Sequence, residues 1–145
     1  MRSVFRSILA IVAGFVAASI VMMIFESING RVVYPELGKM AAGMTDRDAI
    51  RSLLANAPVG AFLMIIAGWI AGSFVGGLLA GWIGRPSPVA HALVLGGLLT
   101  LAGVANNLMI PPPIWFWVVG LVPILPASFV GGRFVPNSGD KLRNP

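Results

Sequence analysis

Charge is absent from three long stretches of this chain. No Asp, Glu, Lys or Arg occurs from Ser7 to Phe25, from Ser52 to Gly84, or from Pro86 to Gly132. An α-helix needs about 20 apolar residues to cross a bilayer. The first stretch fits one crossing, the second fits one with room to spare, and the third fits two. Only 10% of the residues are charged and 57% are hydrophobic, whereas soluble domains carry about 25% charged residues. The pattern predicts an all-α integral membrane domain over residues 1–145, a bundle of four transmembrane helices.

Proline divides the third stretch. Pro111, Pro112 and Pro113 end one helix and hold the preceding residue extended, and Arg85-Pro86-Ser87-Pro88 does the same before it. The expected spans are 8–25, 58–83, 89–110 and 114–134. Short connections make the last three consecutive antiparallel neighbours. Arg2 and Arg6 precede an apolar run longer than the usual signal-peptide core, and its only small-residue stretch, Ala17 to Ser19, lies inside that run. The first span is therefore expected to be retained.

Basic residues sit at the span ends. Arg2, Arg6, Arg85, Arg133, Lys141 and Arg143 fall on one side, and Arg31, Lys39, Arg47 and Arg51 on the other. This bias predicts both termini on the cytoplasmic face of an inner (plasma) membrane. It also accounts for the net charge of +5 without a nucleic-acid partner; the expected partner is the lipid bilayer. Cysteine is absent, which excludes disulfides and thiolate ligands.

The first extracytoplasmic loop carries one expected helix, about 46–56, in "TDRDAIRSLLANAP". Thr45 is the expected N-cap, with Asp48 completing a variant capping box. Ile50, Leu53, Leu54 and Ala57 form an apolar stripe with Arg47 and Arg51 off it, so this short amphipathic helix should lie on the bundle.

Small residues predict how the bundle packs, because lipid gives helices no hydrophobic reason to associate. Span 2 repeats Gly68, Gly72, Gly76, Ala80 and Gly84 every fourth residue, with Ser73, Gly77 and Gly81 alongside. It should be central, with Gly14 and Ala18, Ala92 and Gly96, or Ser128 and Gly132 facing it. So many small residues can serve two interfaces, one of them between subunits. "SFVGG" occurs at 73–77 and again at 128–132, which admits two helical hairpins related by an axis along the membrane normal.

Polar residues within the spans call for partners. Pro123 and Pro126 free the carbonyls of Val119 and Val122. At about 1.5 Å of rise per residue, Asn106 and Thr100 reach similar depths and are the expected donors. Trp82, Trp115 and Trp117 are expected interfacial anchors, Trp69 a packing residue, and His91 an interfacial histidine. Glu26 ends span 1, where the helix dipole disfavours a carboxylate, and Asn29 follows one turn on. With Asn106 and Asn107 at similar depth, these four side chains can line a small outward-facing pocket for a cation, a proton or a lipid headgroup. A carboxylate snorkelling to the interface is the plainer reading of Glu26.

No Ser–His–acid set, HExxH, phosphate loop or paired intramembrane carboxylate appears, and a lone histidine without cysteine leaves no haem or zinc ligand set. No enzymatic activity and no cofactor are expected. "FESINGRVVYP", "GWIAGSFVGG" and "NNLMIPPPIWFW" resemble segments of a loose group of small bacterial four-helix integral membrane proteins without an established activity. The resemblance covers most of the chain and implies the architecture alone. Two functions fit. One is a non-enzymatic subunit or scaffold, homo-oligomeric or part of a larger complex, joined through Gly68, Gly72, Gly76, Gly77 and Gly81. The other is a small transporter or channel with Glu26 and Asn106 in its path.

Overall fold

The computed structural model describes residues 2–136, which are helical and contain no strand among the described residues. The elements are α1 (Arg2–Ile28), a π-helical segment (Asn29–Val33), α2 (Pro35–Ala41), α3 (Arg47–Ala55), α4 (Val59–Ile83), α5 (Pro88–Met109), α6 (Ile114–Leu121) and α7 (Ile124–Arg133). Four helical stretches, Ser3–Val33, Val59–Ile83, Pro88–Met109 and Ile114–Arg133, are long and apolar enough to cross a membrane. Their outer surface is apolar as well: Phe5, Ile8 and Val12 on α1, Leu101 on α5 and Val118 on α6 are all exposed. Water would not tolerate such a girdle, whereas acyl chains match it. The protein is a multi-pass membrane protein with an all-α four-helix bundle.

α4 is the centre. Within the apolar window of α4, 44% of residues are buried, against 17% for α1, which borders lipid along most of its length. One face of α4 meets α1. A Cβ on Gly76 would stand 2.7 Å from the Gly14 carbonyl oxygen, and one on Gly72 would stand 2.7 Å from that of Ala18. Phe25 lies over Gly68, 2.6 Å from where its Cβ would be. The other face meets α7 and the start of α5. Gly77 abuts the Ser128 backbone, Gly131 abuts that of Phe74, and Gly81 has Pro88 and Gly132 at 3.2 and 3.3 Å. Gly68, Gly72, Gly76, Gly77 and Gly81 are thus all buried inside one chain.

The two SFVGG copies pack on each other. Ser128 donates its hydroxyl to the Ser73 carbonyl at 3.2 Å, and both residues are fully buried. α4 and α7 run in the same direction along this seam. The hairpin symmetry stops there, because α5 packs on both α4 and α7 whereas α1 packs chiefly on α4.

Several boundaries differ from expectation, each for a physical reason. α1 begins before Ser7 because Arg6 turns its Nε to the Ile83 carbonyl at 2.6 Å, capping α4 without leaving its own helix. Ser7 and His91 meet nearby at 3.0 Å. The other imidazole nitrogen, Nδ1, faces the Ser87 carbonyl at 2.8 Å and must donate, so Nε2 accepts from Ser7. At its far end α1 does not stop at Phe25: helix continues through Ile28 and the π-helical segment to Val33. Glu26 is therefore not terminal, and about 10 Å of helix lies beyond it. Asp46, not Thr45, caps α3, its side chain accepting from the Asp48 amide at 3.3 Å. The stripe on α3 is partly buried, with Leu54 and Ala57 against the core. A second loop helix, α2, was not expected; Pro35 opens it, and Lys39 and Glu36 pair along it at 2.8 Å.

Span 4 keeps its helical path through the prolines without the expected side-chain rescue. α6 ends at Leu121 and α7 starts at Ile124, while Val122 and Pro123 keep right-handed helical dihedrals (φ −57°, ψ −40° and φ −71°, ψ −18°). Thr100 bonds back to the Gly96 carbonyl of its own helix at 2.8 Å. Asn106 forms no hydrogen bond to span 4 among the described residues. The expected rescue of the Val119 and Val122 carbonyls is absent among the described residues: Thr100 borders the same groove as Val122 and Pro126, but its hydroxyl is spent on Gly96. Lys141 and Arg143, counted in the charge bias, lie outside the described residues.

Gly76→Leu should lower thermal stability in detergent by at least the 1–3 kcal/mol typical of overpacking, about a tenfold or larger shift in the folded fraction, because its neighbour is backbone. Gly97, with nothing within 4 Å of a built Cβ, should accept Leu. Equal melting of the two variants would contradict this packing.

Candidate functional site

The close seam of α4 with α1 ends at Gly68. Beyond it α4 carries Ile65 and Phe62, larger side chains that line a cavity. α2 and α3 lie across this end of the bundle. Arg47 holds α3 there by donating to the Leu108 carbonyl at 2.8 Å. Beneath them is a cavity of about 350 Å³ lined by Glu26, Asn29, Asn106 and Asn107, with Leu37 and Leu53 from the loop helices. The structure therefore brings together all four polar residues singled out by their depth. A second cavity of about 240 Å³ continues towards mid-bundle along Phe15 and Ser19 of α1 and Leu99 and Gly103 of α5. Glu26, Trp69 and Asn106 border both.

Glu26 and Asn29 share a face because they are three residues apart on one continuous helix. At Asn29 the helix widens to π geometry: the Tyr34 amide donates to the Asn29 carbonyl at 2.7 Å. Such single turns of wide helix recur at functional sites. Gly30 and Gly38 then let α2 fold back directly on the π-helical segment, with no room for a Cβ at Gly38. The Asn29 side chain is 7% exposed and donates its Nδ2 to the Ala61 carbonyl at 3.0 Å. Its Oδ1 has no partner among the described residues. Asn107 is more extreme: it is 1% exposed, and neither its amide nitrogen nor its oxygen is paired among the described residues. Unpaired buried polar atoms cost about 1–3 kcal/mol, so packing alone gives no reason for an amide here. Asn106, one step round the helix, is exposed to the cavities. Trp69 lies beside Glu26, and the two border both cavities.

The opposite wall is aromatic. Phe116 is 3% exposed and stands 5.4 Å from Phe62 and 5.2 Å from Trp69, centroid to centroid, in tilted and edge-on geometries. Edge-on pairs of this kind contribute about 0.5–1.5 kcal/mol each beyond burial. Trp69 fits a notch made by two glycines: a Cβ on Gly120 would be 3.3 Å from its ring and one on Gly103 3.7 Å. Trp69 thus packs, as expected, and also borders the site, which was not foreseen. Phe62 and Phe116 were likewise missed. The only signal pointing to them was the pair of glycines facing a tryptophan at mid-span.

The anchoring tryptophans divide. Trp115 is partly buried and packs edge-on against Phe62 at 5.4 Å, so it supports the aromatic wall. Trp117 is partly buried on α6, and Trp82 is exposed at the opposite end of the bundle. Glu26 is the only ionisable side chain among the described residues that border either cavity.

Asn107→Leu should leave the melting temperature in detergent unchanged or raise it, because it removes unpaired polar atoms at similar volume. Asn29→Leu should lower it through loss of the bond to Ala61. Destabilisation by Asn107→Leu equal to that of Asn29→Leu would contradict the unpaired geometry.

No protein-family model matches the chain, and comparison with curated proteins and with solved structures returns no match.

Proposed function

We propose that the protein is a small membrane transporter that takes up a solute in the cavity at its loop-helix end, with Glu26 as the charged group of the path. The observation that carries this reading is the buried Asn107 amide, unpaired among the described residues and bordering a cavity that also holds Glu26, Asn29 and Asn106. Such a group is costly to bury unpaired, and the polar atoms of a ligand would pair it. Intramembrane ionisable residues mark substrate and ion paths for the same reason of cost. The shared border of the two cavities at Glu26, Trp69 and Asn106 supports a route from the loop helices towards mid-bundle. A scaffold joined through the glycine face of α4 has less support, since those glycines are buried within the chain.

The protein sits in the inner (plasma) membrane with both termini cytoplasmic, and the cavity end faces outward. In the sequence, six bases at the termini end (Arg2, Arg6, Arg85, Arg133, Lys141 and Arg143) against four at the loop-helix end (Arg31, Lys39, Arg47 and Arg51) support this orientation under the positive-inside rule. The chain has no cysteine, so a single Ser52→Cys on α3 reports the side: an impermeant thiol reagent should label it in intact cells, and labelling only after lysis would reverse the orientation.

Function is tested in proteoliposomes with a panel of protons, monovalent cations and small organic solutes. Flux of at least one should be measurable and should fall tenfold or more in Glu26→Gln. Absence of flux across the panel would overturn the reading.

A further inference from the structure

The cavity has more free acceptors than free donors. Glu26 offers two carboxylate oxygens, and Asn29 Oδ1 and Asn107 Oδ1 each lack a partner among the described residues; on the donor side Asn107 Nδ2 is also unpaired, whereas Asn29 Nδ2 is already engaged with Ala61. A group that satisfies this set brings several N–H bonds and one positive charge. A primary ammonium has three donors in a compact head and is neutralised by the single carboxylate. The wall facing these oxygens is aromatic, formed by Phe62, Trp69 and Phe116, and aromatic faces attract cations as well as apolar groups.

Volume and donors narrow the choice further. A cavity of about 350 Å³ has room for roughly ten waters at about 30 Å³ each, far more than a bare metal ion fills. A quaternary ammonium fits by size but has no N–H, and would leave Asn29 Oδ1 and Asn107 Oδ1 unpaired. We propose that this cavity binds a primary ammonium group carrying an apolar body, the head between Glu26, Asn29 and Asn107 and the body against the aromatic wall. The assignment rests on the transport reading only in taking the cavity to be reachable. Two sources share the chemistry: a free aralkyl amine, and the ethanolamine headgroup of a lipid entering between α1 and α5.

The full chain in phosphatidylcholine nanodiscs is titrated calorimetrically with phenethylamine and with its N,N,N-trimethyl analogue. Phenethylamine should bind saturably and at least tenfold more tightly than the analogue. Glu26→Gln and Asn107→Leu should each weaken it tenfold or more, with Asn107→Leu melting no lower than the parent. Discs containing phosphatidylethanolamine identify the source: retention of that lipid in native mass spectrometry, with weakened phenethylamine binding, assigns the site to the lipid headgroup. Equal affinity for the two amines overturns the proposal, as does absence of amine binding without retained phosphatidylethanolamine. Flux of another solute with no amine binding would sink this assignment and leave transport standing. Amine binding without any flux would do the reverse.

Discussion

The close seating of α1 and α7 on α4 depends on bare Cα positions where one helix brings its backbone against another. Gly72 and Gly76 receive α1, Gly77 and Gly81 receive α7 and the start of α5, and Gly14 and Gly131 reciprocate from the other side. In lipid this is the available source of cohesion, since apolar side chains gain nothing by leaving acyl chains for one another. The register of small residues therefore decides where helices touch, and its end decides where they part. Past Gly68, α4 changes to Ile65 and Phe62, and the next link to the continuation of α1 is the Asn29 side chain on the Ala61 carbonyl. The cavity lies where the glycine seam gives way to larger side chains.

The contents of that space follow from the elements around it. α1 runs on beyond Phe25, which moves Glu26 from an interface to a position with two further turns of helix above it. The π-helical turn sets Asn29 on the same side, and α5 brings Asn106 and Asn107 opposite. α2 and α3 close the top through Leu37 and Leu53, with Arg47 fastened to the end of α5. Trp69 joins the two halves of the structure. Its ring depends on the notch of Gly103 and Gly120, and it borders both cavities together with Glu26. Packing and site chemistry thus meet in one residue.

Much of this was legible in the chain. Charge-free stretches and prolines delimit α4, α5 and the start of α6 to within a residue, because both are absolute local constraints in lipid. Fourfold glycine spacing identified α4 as central, and common depth grouped Glu26, Asn29, Asn106 and Asn107. What was not legible depended on long-range partners. The charge on Arg6 does not end α1, since its guanidinium reaches the Ile83 carbonyl seventy-seven residues away. Thr100 chose its own Gly96 carbonyl over a neighbouring helix. Phe62 and Phe116 lie in runs where every residue is apolar, so periodicity carries no information about which ones face a cavity. The glycine face was visible, but not that a single chain would occupy both of its sides.

The most direct test of this arrangement is a thiol-accessibility profile along α5, read in the cysteine-free chain with an impermeant reagent in sealed membranes. Cysteines replacing Asn106 and Ala102, which border the cavities, should react. Those replacing Leu95 and Ala92, fully buried in the glycine-packed region, should be protected, and so should one replacing the lipid-facing Leu101. Protection at Asn106 and Ala102, or equal reactivity at all five positions, would contradict a bundle sealed by α4 at one end and opened as a polar cavity at the other.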